Sequence, residues 1–235
     1  MGYGRRRLSI TSLLPRDFFD RPAPEVAPAL LGCVLEHETP EGRVAVVITE
    51  VEAYEGESDP ASHAYRGMTG RTAVMYGPPG HAYVYFTYGM HFCVNVVCMP
   101  AGTASAVLLR AGRVIAGEDL ARLRRSRQVP VRELARGPAR LCRALAISRL
   151  QNDADLCDPG SPLRLGREEG SQQADAVEPV SKAVSIGPRV GVSVGAETNW
   201  RFWLTDDETV SLYRAHKKSG LIRLEPLRQW VGTSI

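Results

Sequence analysis

Paired cysteines, metal-binding motifs and long apolar segments are all missing from this sequence. Its five cysteines are odd in number and include no C-x-x-C pair, which argues against a disulfide scaffold or a zinc knuckle and favours buried, reduced thiols. No run of about 20 apolar residues is present to span a bilayer, and the first ten residues lack the apolar stretch of a secretory signal. We therefore expect a cytosolic protein with no metal and no cofactor.

Length and composition predict one domain. The chain has 235 residues, of which 44% are hydrophobic and 23% charged, enough for one substantial core but not for two ordinary domains. We expect residues 1–235 to form this single domain. Segments 1–12 and 168–182 are expected to be mobile, the second because it is polar and has almost no large apolar residue.

Positive charge is concentrated in one segment. The net charge is only +3, which is compatible with nucleic-acid binding but does not argue for it. Between Arg110 and Arg143, however, ten arginines face three acidic residues. Guanidinium groups suit phosphate contacts because they offer several donors and stay charged. A solvated helix face explains the same charges equally well, so both interpretations stay open.

The pattern of apolar residues and turns predicts an α+β fold. Strands are expected at 33–37, 43–54, 81–88, 91–97, 105–111, 184–194 and 201–204. Helices are expected at 117–127 and 138–147, a short helix within 13–31, and a long ordered loop at 56–80. Because hairpins join most strands, we predict a single compact domain with a curved, mostly antiparallel sheet, flanking helices and a protruding β-hairpin.

One strand carries acidic residues suited to hydrolysis. Alternation along 46–54 places Glu50, Glu52 and Tyr54 on the same face. A carboxylate on a rigid strand beside an aromatic ring provides a base for water and negative charge near a developing oxocarbenium ion. Taken alone, the pattern fits a solvent-facing strand edge better.

The second hairpin carries aromatic residues suited to base binding. Tyr83 and Tyr85 alternate along one strand face, and Tyr88 stands at the bend before Gly89 and Met90. A protruding turn with a flat or apolar tip can wedge between base pairs and lower the cost of unstacking a nucleotide. Ordinary sheet packing is the plainer interpretation of strand tyrosines.

Long blocks of the sequence resemble the alkyladenine (3-methyladenine) DNA glycosylases, the mammalian-type methylpurine DNA glycosylases and their bacterial relatives. The resemblance covers most of the chain in the expected order. It rests on T-E-V-E-A-Y (49–54), S-H-A-Y-R-G (62–67), G-P-P-G-H-A-Y-V-Y-F-T-Y-G-M-H-F-C-V-N-V-V (77–97), V-L-L-R-A (107–111), G-P-A-R-L-C-R-A-L-A-I (137–147) and R-V-G-V (189–192).

The resemblance implies a catalytic pair. Glu52 matches the general base that deprotonates the water attacking the sugar carbon, and Arg110 matches an arginine that holds this water and the adjacent phosphate. A backbone carbonyl within 189–192 would complete the water site. All three lysines lie outside the matched site motifs. We therefore expect direct attack by water, with the DNA strand left uncut.

The resemblance also implies a base-binding set. Tyr54 would stack on one face of the extruded base, with His63 and Tyr85 on the other. Asn95 would disfavour normal guanine by clashing with its exocyclic amino group. Tyr88 would intercalate into the gap left in the duplex. The implied partner is double-stranded DNA containing a damaged purine, and we expect a monomer to bind it. In a bacterium, the favoured source, the protein would act in the cytoplasm at the nucleoid. In a eukaryote it would act in the nucleus.

Three other functions were weighed. A protein that flips and shields a lesion without hydrolysis would use the same tyrosines, but it has no use for a desolvated carboxylate near anionic DNA. A single-strand or RNA-binding domain would also stack bases on aromatic strands. A metal-dependent nuclease fits least, because the histidines and carboxylates show no H-E-x-x-H or paired-aspartate spacing.

Overall fold

Nine strands, all paired antiparallel, form one open sheet in the computed structural model, which describes residues 10–87, 89–168 and 183–216. The strands are β1 (Ile10–Leu13), β2 (Val34–Thr39), β3 (Gly42–Tyr54), β4 (Ala82–Thr87), β5 (His91–Val97), β6 (Ala106–Ala116), β7 (Leu163–Glu168), β8 (Val184–Gly187) and β9 (Arg201–Leu204). Their order is β1-β7-β2-β3-β6-β5-β4, with β9 added to one end of β3 and β8 paired to β9.

Three helices accompany the sheet, namely α1 (Ala23–Leu30), α2 (Glu118–Arg125) and α3 (Pro138–Leu145). Prolines at the start of α1 and α3 fit the first helical turn, where the missing N–H costs no hydrogen bond. α1 is short, as expected, and Gly32 with a φ of +84° turns the chain into β2. The predicted α+β fold is confirmed. Within the described residues, no helix is long and apolar enough to cross a membrane.

The central strands present two chemically different faces. One face is part of the main hydrophobic core, with α1 and α3 packed over it; its members are Val51, Ala53, Ala82, Val84, Val94, Val96, Val107 and Leu109. The alternate positions point to the opposite face and line a cavity; they are Glu52, Tyr54, Tyr83, Tyr85, Cys93, Asn95, Leu108 and Arg110. Because side chains alternate along each strand, one face of the sheet packs into the core and the other carries the cavity residues.

Strand register aligns the polar face. Tyr83 pairs with Asn95, Asn95 with Leu108, and Leu108 with Glu52, so one row crosses β4, β5, β6 and β3. The register between β3 and β6 shifts on both sides of Glu50. Irregularities of this kind re-aim side chains and are common beside active sites. Here the shift leaves Arg110 between the positions opposite Glu50 and Val51.

The strand predicted at 184–194 is too long. β8 ends at Gly187, and the following residues form turns and bends. Pro188 has no N–H for the sheet, Gly191 has a φ of +71°, and Arg189 is drawn into a buried ion pair. Two strands, β1 and β7, were not predicted at all, and they pair with each other at one edge of the sheet.

Candidate active site

A cavity of about 440 Å³ lies against the polar face of the sheet. This volume falls within the range of small-molecule sites, roughly 300–1,000 Å³. Six of the seven residues proposed from the sequence line it, namely Glu52, Tyr54, His63, Tyr85, Asn95 and Arg110. The seventh, Tyr88, lies outside the described residues.

Glu52 is fully buried in β3 and contacted by two hydrogen-bond donors and one guanidinium. The Tyr54 hydroxyl donates to Oε2 at 2.8 Å, and Arg110 Nη1 lies 3.2 Å from the same oxygen. The backbone N–H of Val190 donates to Oε1 at 2.6 Å. Hydrogen bonds of this kind stabilise the ionised form of a buried carboxylate and fix its orientation.

Arg110 links Glu52 to a second buried carboxylate. Its Nε donates to Glu50 Oε1 at 2.8 Å, and Arg201 Nε donates to the same atom at 2.8 Å. Ser211 adds its backbone N–H and its hydroxyl to Glu50. Burial alone would raise the pKa of Glu50, but the two arginines and the Ser211 N–H outweigh it and the pKa is lowered. Burial would lower the pKa of Arg110, but both carboxylates raise it.

Tyrosine rings form much of the cavity wall. The Tyr83 and Tyr85 ring centroids are 5.6 Å apart, and the His63 ring meets Tyr85 edge-on at 4.5 Å. Burial, followed by the charge of Glu52, raises the pKa of Tyr54 well above its ordinary value, so its hydroxyl keeps the proton that it donates. Edge-to-face geometry is favourable for aromatic pairs and keeps the wall in one arrangement.

His63 is a neutral imidazole in this wall. Arg71 Nη2 lies 3.5 Å from its Nε2, and the Tyr83 hydroxyl lies 3.1 Å from its Nδ1. Because arginine only donates, Nε2 is the acceptor and Nδ1 carries the proton. Burial and the charge of Arg71 lower the pKa of His63 to about 4. At neutral pH the ring therefore adds no charge to the cavity.

Asn95 lies opposite Tyr83 and donates its side-chain amide to the Tyr83 carbonyl oxygen at 3.0 Å. This bond orients the amide in the cavity lining. Cys93, two residues earlier on β5, lies directly opposite Tyr85, and both line the cavity. Burial raises the pKa of the Cys93 thiol, so this residue is protonated and uncharged at pH 7.

Two ionic residues that hold the site together were missed from the sequence. Arg189 makes a bidentate ion pair with Asp59 and also donates to the carbonyl oxygens of Ala53 and Gly195. Arg201, whose position was assigned only to a closing strand, reaches the Glu50 carboxylate. Arg189 stands in the matched R-V-G-V block, which was the available signal. Nothing local to Asp59 or Arg201 indicates their partners, which are 130 and 151 positions away.

The end of the β4–β5 hairpin exposes apolar side chains. Phe86 and Met90, on either side of the bend, are 42% and 68% exposed. Among the aromatic ring pairs of the described residues, Phe86 contacts only Phe92, which lies across the hairpin. Large apolar groups left in solvent at one end of an element mark an interaction site more often than chance exposure does.

Most arginines between positions 110 and 143 have protein partners. Those that donate to carboxylates or to backbone carbonyl oxygens are Arg110, Arg122, Arg124, Arg125, Arg136, Arg140 and Arg143. Several of these bonds join α2, α3 and the segment between them. The charge run thus has a structural use, which differs from both interpretations drawn from the sequence, phosphate contact and a solvated helix face.

A buried carboxylate with its arginine, in the lining of a cavity walled by tyrosines on an antiparallel sheet, suits hydrolysis of a substrate with a flat ring. The chain belongs to the methylpurine-DNA glycosylase (MPG) family, whose model matches residues 17–208. It is thus a DNA glycosylase of DNA repair, a hydrolase that acts on N-glycosyl bonds.

Curated relatives agree along nearly their whole length. A protein of Streptomyces avermitilis is 55% identical over 205 residues, covering 86% of this chain and 92% of the relative. One of Frankia casuarinae is 53% identical over 196 residues, covering 83% and 90%. One of Leifsonia xyli is 51% identical over 212 residues, covering 87% and 94%. All three are named as 3-methyladenine DNA glycosylases.

Proposed function

We propose that this protein flips damaged purines, alkylated or deaminated, from duplex DNA and hydrolyses their N-glycosidic bond with water activated by Glu52. 3-Methyladenine is the proposed representative substrate, and an abasic site in an uncut strand is the product. The observation that carries the proposal is the position of Glu52, a fully buried carboxylate in the lining of a cavity walled by tyrosines.

The hydrogen bonds of Glu52 leave a lone-pair position on Oε1 for the attacking water. A carboxylate has about four lone-pair positions. Tyr54 uses one on Oε2, where Arg110 adds a cation at 3.2 Å, and the Val190 N–H uses one on Oε1. The remaining position on Oε1 is next to the backbone of Val190, Gly191 and Val192, which lines the cavity. A carbonyl oxygen of this segment would take the second hydrogen of the water.

The chemistry then follows in one displacement. The water oxygen attacks the anomeric carbon of the flipped nucleotide, and Glu52 accepts its proton. The bond from this carbon to the purine nitrogen breaks, and its electron pair leaves with the base. A purine alkylated at N3 or N7 is cationic and departs neutral, so it needs no acid. The Glu52 carboxylate stabilises the oxocarbenium character of the sugar, and Arg110 holds Glu52 in place.

Aromatic walls supply recognition. An electron-rich ring attracts a cationic base, and every purine has a face that can stack. We assign one wall to Tyr54 and the other to Tyr85 with His63. To Asn95, whose amide is oriented by the Tyr83 carbonyl oxygen, we assign the clash with the exocyclic amino group of normal guanine.

Flipping is assigned to the β4–β5 hairpin. Its exposed Phe86 and Met90 support an apolar wedge, and Tyr88 between them is proposed to enter the gap in the duplex. The partner is double-stranded DNA with one lesion, bound by a monomer without a cofactor. Such a protein acts where the chromosome is, which in a bacterium is the nucleoid.

A panel of duplexes, each with a single lesion, tests the proposal. The lesions are 3-methyladenine, 7-methylguanine, hypoxanthine and ethenoadenine, with undamaged DNA as the control. We expect release of free base from at least one lesion, followed by strand cleavage only after alkali. No release from any duplex would remove the proposed function. Cleavage before alkali would remove the proposed attack by water alone.

A further inference from the structure

Arg189 is the largest side chain with almost no exposure, at 1%. Its two terminal nitrogens donate to both carboxylate oxygens of Asp59, to the Ala53 carbonyl at 3.0 Å and to the Gly195 carbonyl at 3.2 Å. One guanidinium thus joins strand β3 to two loops. Ala53, which it contacts, lies between Glu52 and Tyr54 in the chain.

The same guanidinium lies between two aromatic rings. Its central carbon is 4.7 Å from the centroid of Tyr54 and 5.3 Å from that of Trp200. Its buried Nε has no hydrogen-bond partner among the residues that the structure describes. Stacking on Tyr54 limits where that ring can rotate, and the ring hydroxyl is the one that donates to Glu52.

The next residue of the chain acts on Glu52 directly. The Val190 N–H donates to Oε1 of Glu52 at 2.6 Å, so the position of this donor follows from where Arg189 is anchored. Gly191 and Gly195, with φ values of +71° and +62°, let the loop bend back over the cavity. The Asp59 pair, together with the bond to the Ala53 carbonyl oxygen, holds the Arg189 end of this loop beside β3.

Stability alone does not explain this arrangement. A buried ion pair is costly to desolvate, and well-packed apolar residues often replace one without loss of stability. A planar cation with a fixed fork is suited instead to hold several groups in one geometry. The groups held here are the two hydrogen-bond donors to Glu52.

We propose that Arg189, anchored by Asp59, is a positioning residue that fixes the Tyr54 ring and the Val190 N–H on Glu52 and so sets the rate of base excision. This inference rests on the proposed function. Displacements of about 1 Å in a catalytic group can cost on the order of 100-fold in rate. The expected defect is therefore in the chemical step rather than in DNA binding.

The test uses Arg189→Lys, which keeps the charge but loses the fork, and Asp59→Asn, which keeps the guanidinium but loses its anchor. Single-turnover excision is measured with enzyme in excess, on the lesion that wild type excises fastest. Affinity is measured for a duplex with a tetrahydrofuran abasic analogue. We expect each variant to lose about 10- to 100-fold in rate, with the affinity changed less than about threefold.

A double-mutant cycle separates positioning from general damage. In a Tyr54→Ala background, Arg189→Lys should cost at least about fivefold less in rate than it costs in wild type, because the ring it orients is gone. Equal costs in the two backgrounds would overturn the proposal. A rate within twofold of wild type in both single variants would also overturn it.

Arg164→Lys is the matched control, because Arg164 pairs with the buried Glu36 on strands away from the cavity. It should lower the melting temperature without changing the excision rate. If Arg189→Lys does not melt cooperatively, Asp59→Asn alone decides the outcome by the same rate criterion. A wild type that releases no base would contradict the proposed function, whereas active wild type with unaffected variants would contradict only the role of Arg189.

Discussion

Two arginine-rich regions of this molecule use the same side chain for different ends. Beside the cavity, Arg110 and Arg201 are buried and share the Glu50 carboxylate, which is itself fully buried. Around α2 and α3, Arg124 and Arg140 pair with Glu41 and Glu133 at or near the surface. The first set surrounds the proposed general base, and the second joins helices to their neighbours.

The two regions differ in the solvent exposure of their ion pairs rather than in the number of charges. In a buried network each charge depends on its partner, because water cannot replace it. At the surface, water and salt replace a lost partner at small cost. A segment rich in arginine therefore says little about where the chemistry of a protein lies until the burial of each arginine is known.

Replacing one glutamate in each region by glutamine, which has the same shape, should give the largest difference between the two regions. Glu50→Gln leaves two buried arginines without their shared carboxylate and should lower the free energy of unfolding by about 3–5 kcal/mol. Glu41→Gln, whose side chain is 68% exposed, should cost less than about 1 kcal/mol. Urea denaturation measures both values. Similar losses in the two variants would break the comparison.

The loss of stability at acid pH should also show that the buried network depends on the Glu50 charge. Because the pKa of Glu50 is lowered in the folded protein, its contribution to stability is complete above the ordinary glutamate pKa. That contribution is lost as the pH falls from there through the lowered folded-state pKa. Wild type should thus lose more stability below pH ~4.5 than Glu50→Gln does. Parallel pH profiles of the two proteins would show that Glu50 is not held as described.

Arg110→Lys tests whether the forked geometry in the buried region is used. Arg110 reaches Glu50 through Nε and Glu52 through Nη1, and one ammonium group does not reproduce this pair of contacts. We expect single-turnover excision to fall about 10- to 100-fold. Arg124→Lys on α2, away from the cavity, is the control and should stay within twofold of wild type. A rate unchanged in Arg110→Lys would argue that only its charge matters.

The His63–Arg71 pair at the edge of the cavity is intermediate between the buried arginines and those around α2 and α3, and it tests electrostatics there. The pKa of His63 is about 4, lowered by burial and then by Arg71. Arg71→Gln removes the neighbouring cation and should raise this pKa while burial continues to hold it below its ordinary value. NMR titration of the His63 ring protons in both proteins measures the change. An unchanged midpoint would mean that Arg71 does not act on His63.

The smallest effect is expected at Arg140, whose side chain is 48% exposed beside Glu133. Arg140→Gln should change neither the excision rate nor the dependence of DNA affinity on salt. A phosphate contact would instead lower the salt slope by about one. Such a drop would show that Arg140 contacts DNA, and the arginines around α2 and α3 would then not be purely structural.

Local patterns in the sequence predicted much of the fold. Alternation predicted Glu52 and Tyr54 on one face of β3 and Tyr83 and Tyr85 on one face of β4, and turn residues located both hairpins. β1 and β7 escaped prediction because each is short and depends on the other across the sheet.

Contacts between distant segments were out of reach of the same reasoning. The Arg189–Asp59 and Arg201–Glu50 pairs depend on how loops return to the sheet, which no local period records. The strand predicted beyond Gly187 failed for the same reason, since Arg189 leaves the sheet to meet Asp59. Six site residues nevertheless share one cavity, and the resemblance to the glycosylase family, rather than any local period, is what predicted them as one set.

The most direct measurement compares base release by wild type and Glu52→Gln on a duplex with one excisable lesion. Glutamine keeps the shape of the side chain but accepts no proton, so release should fall by about 10²- to 10⁴-fold while the lesion duplex is still bound. Glu57→Gln, an exposed residue nearby, should match wild type. Equal rates in wild type and Glu52→Gln would contradict the claim that this carboxylate activates the water.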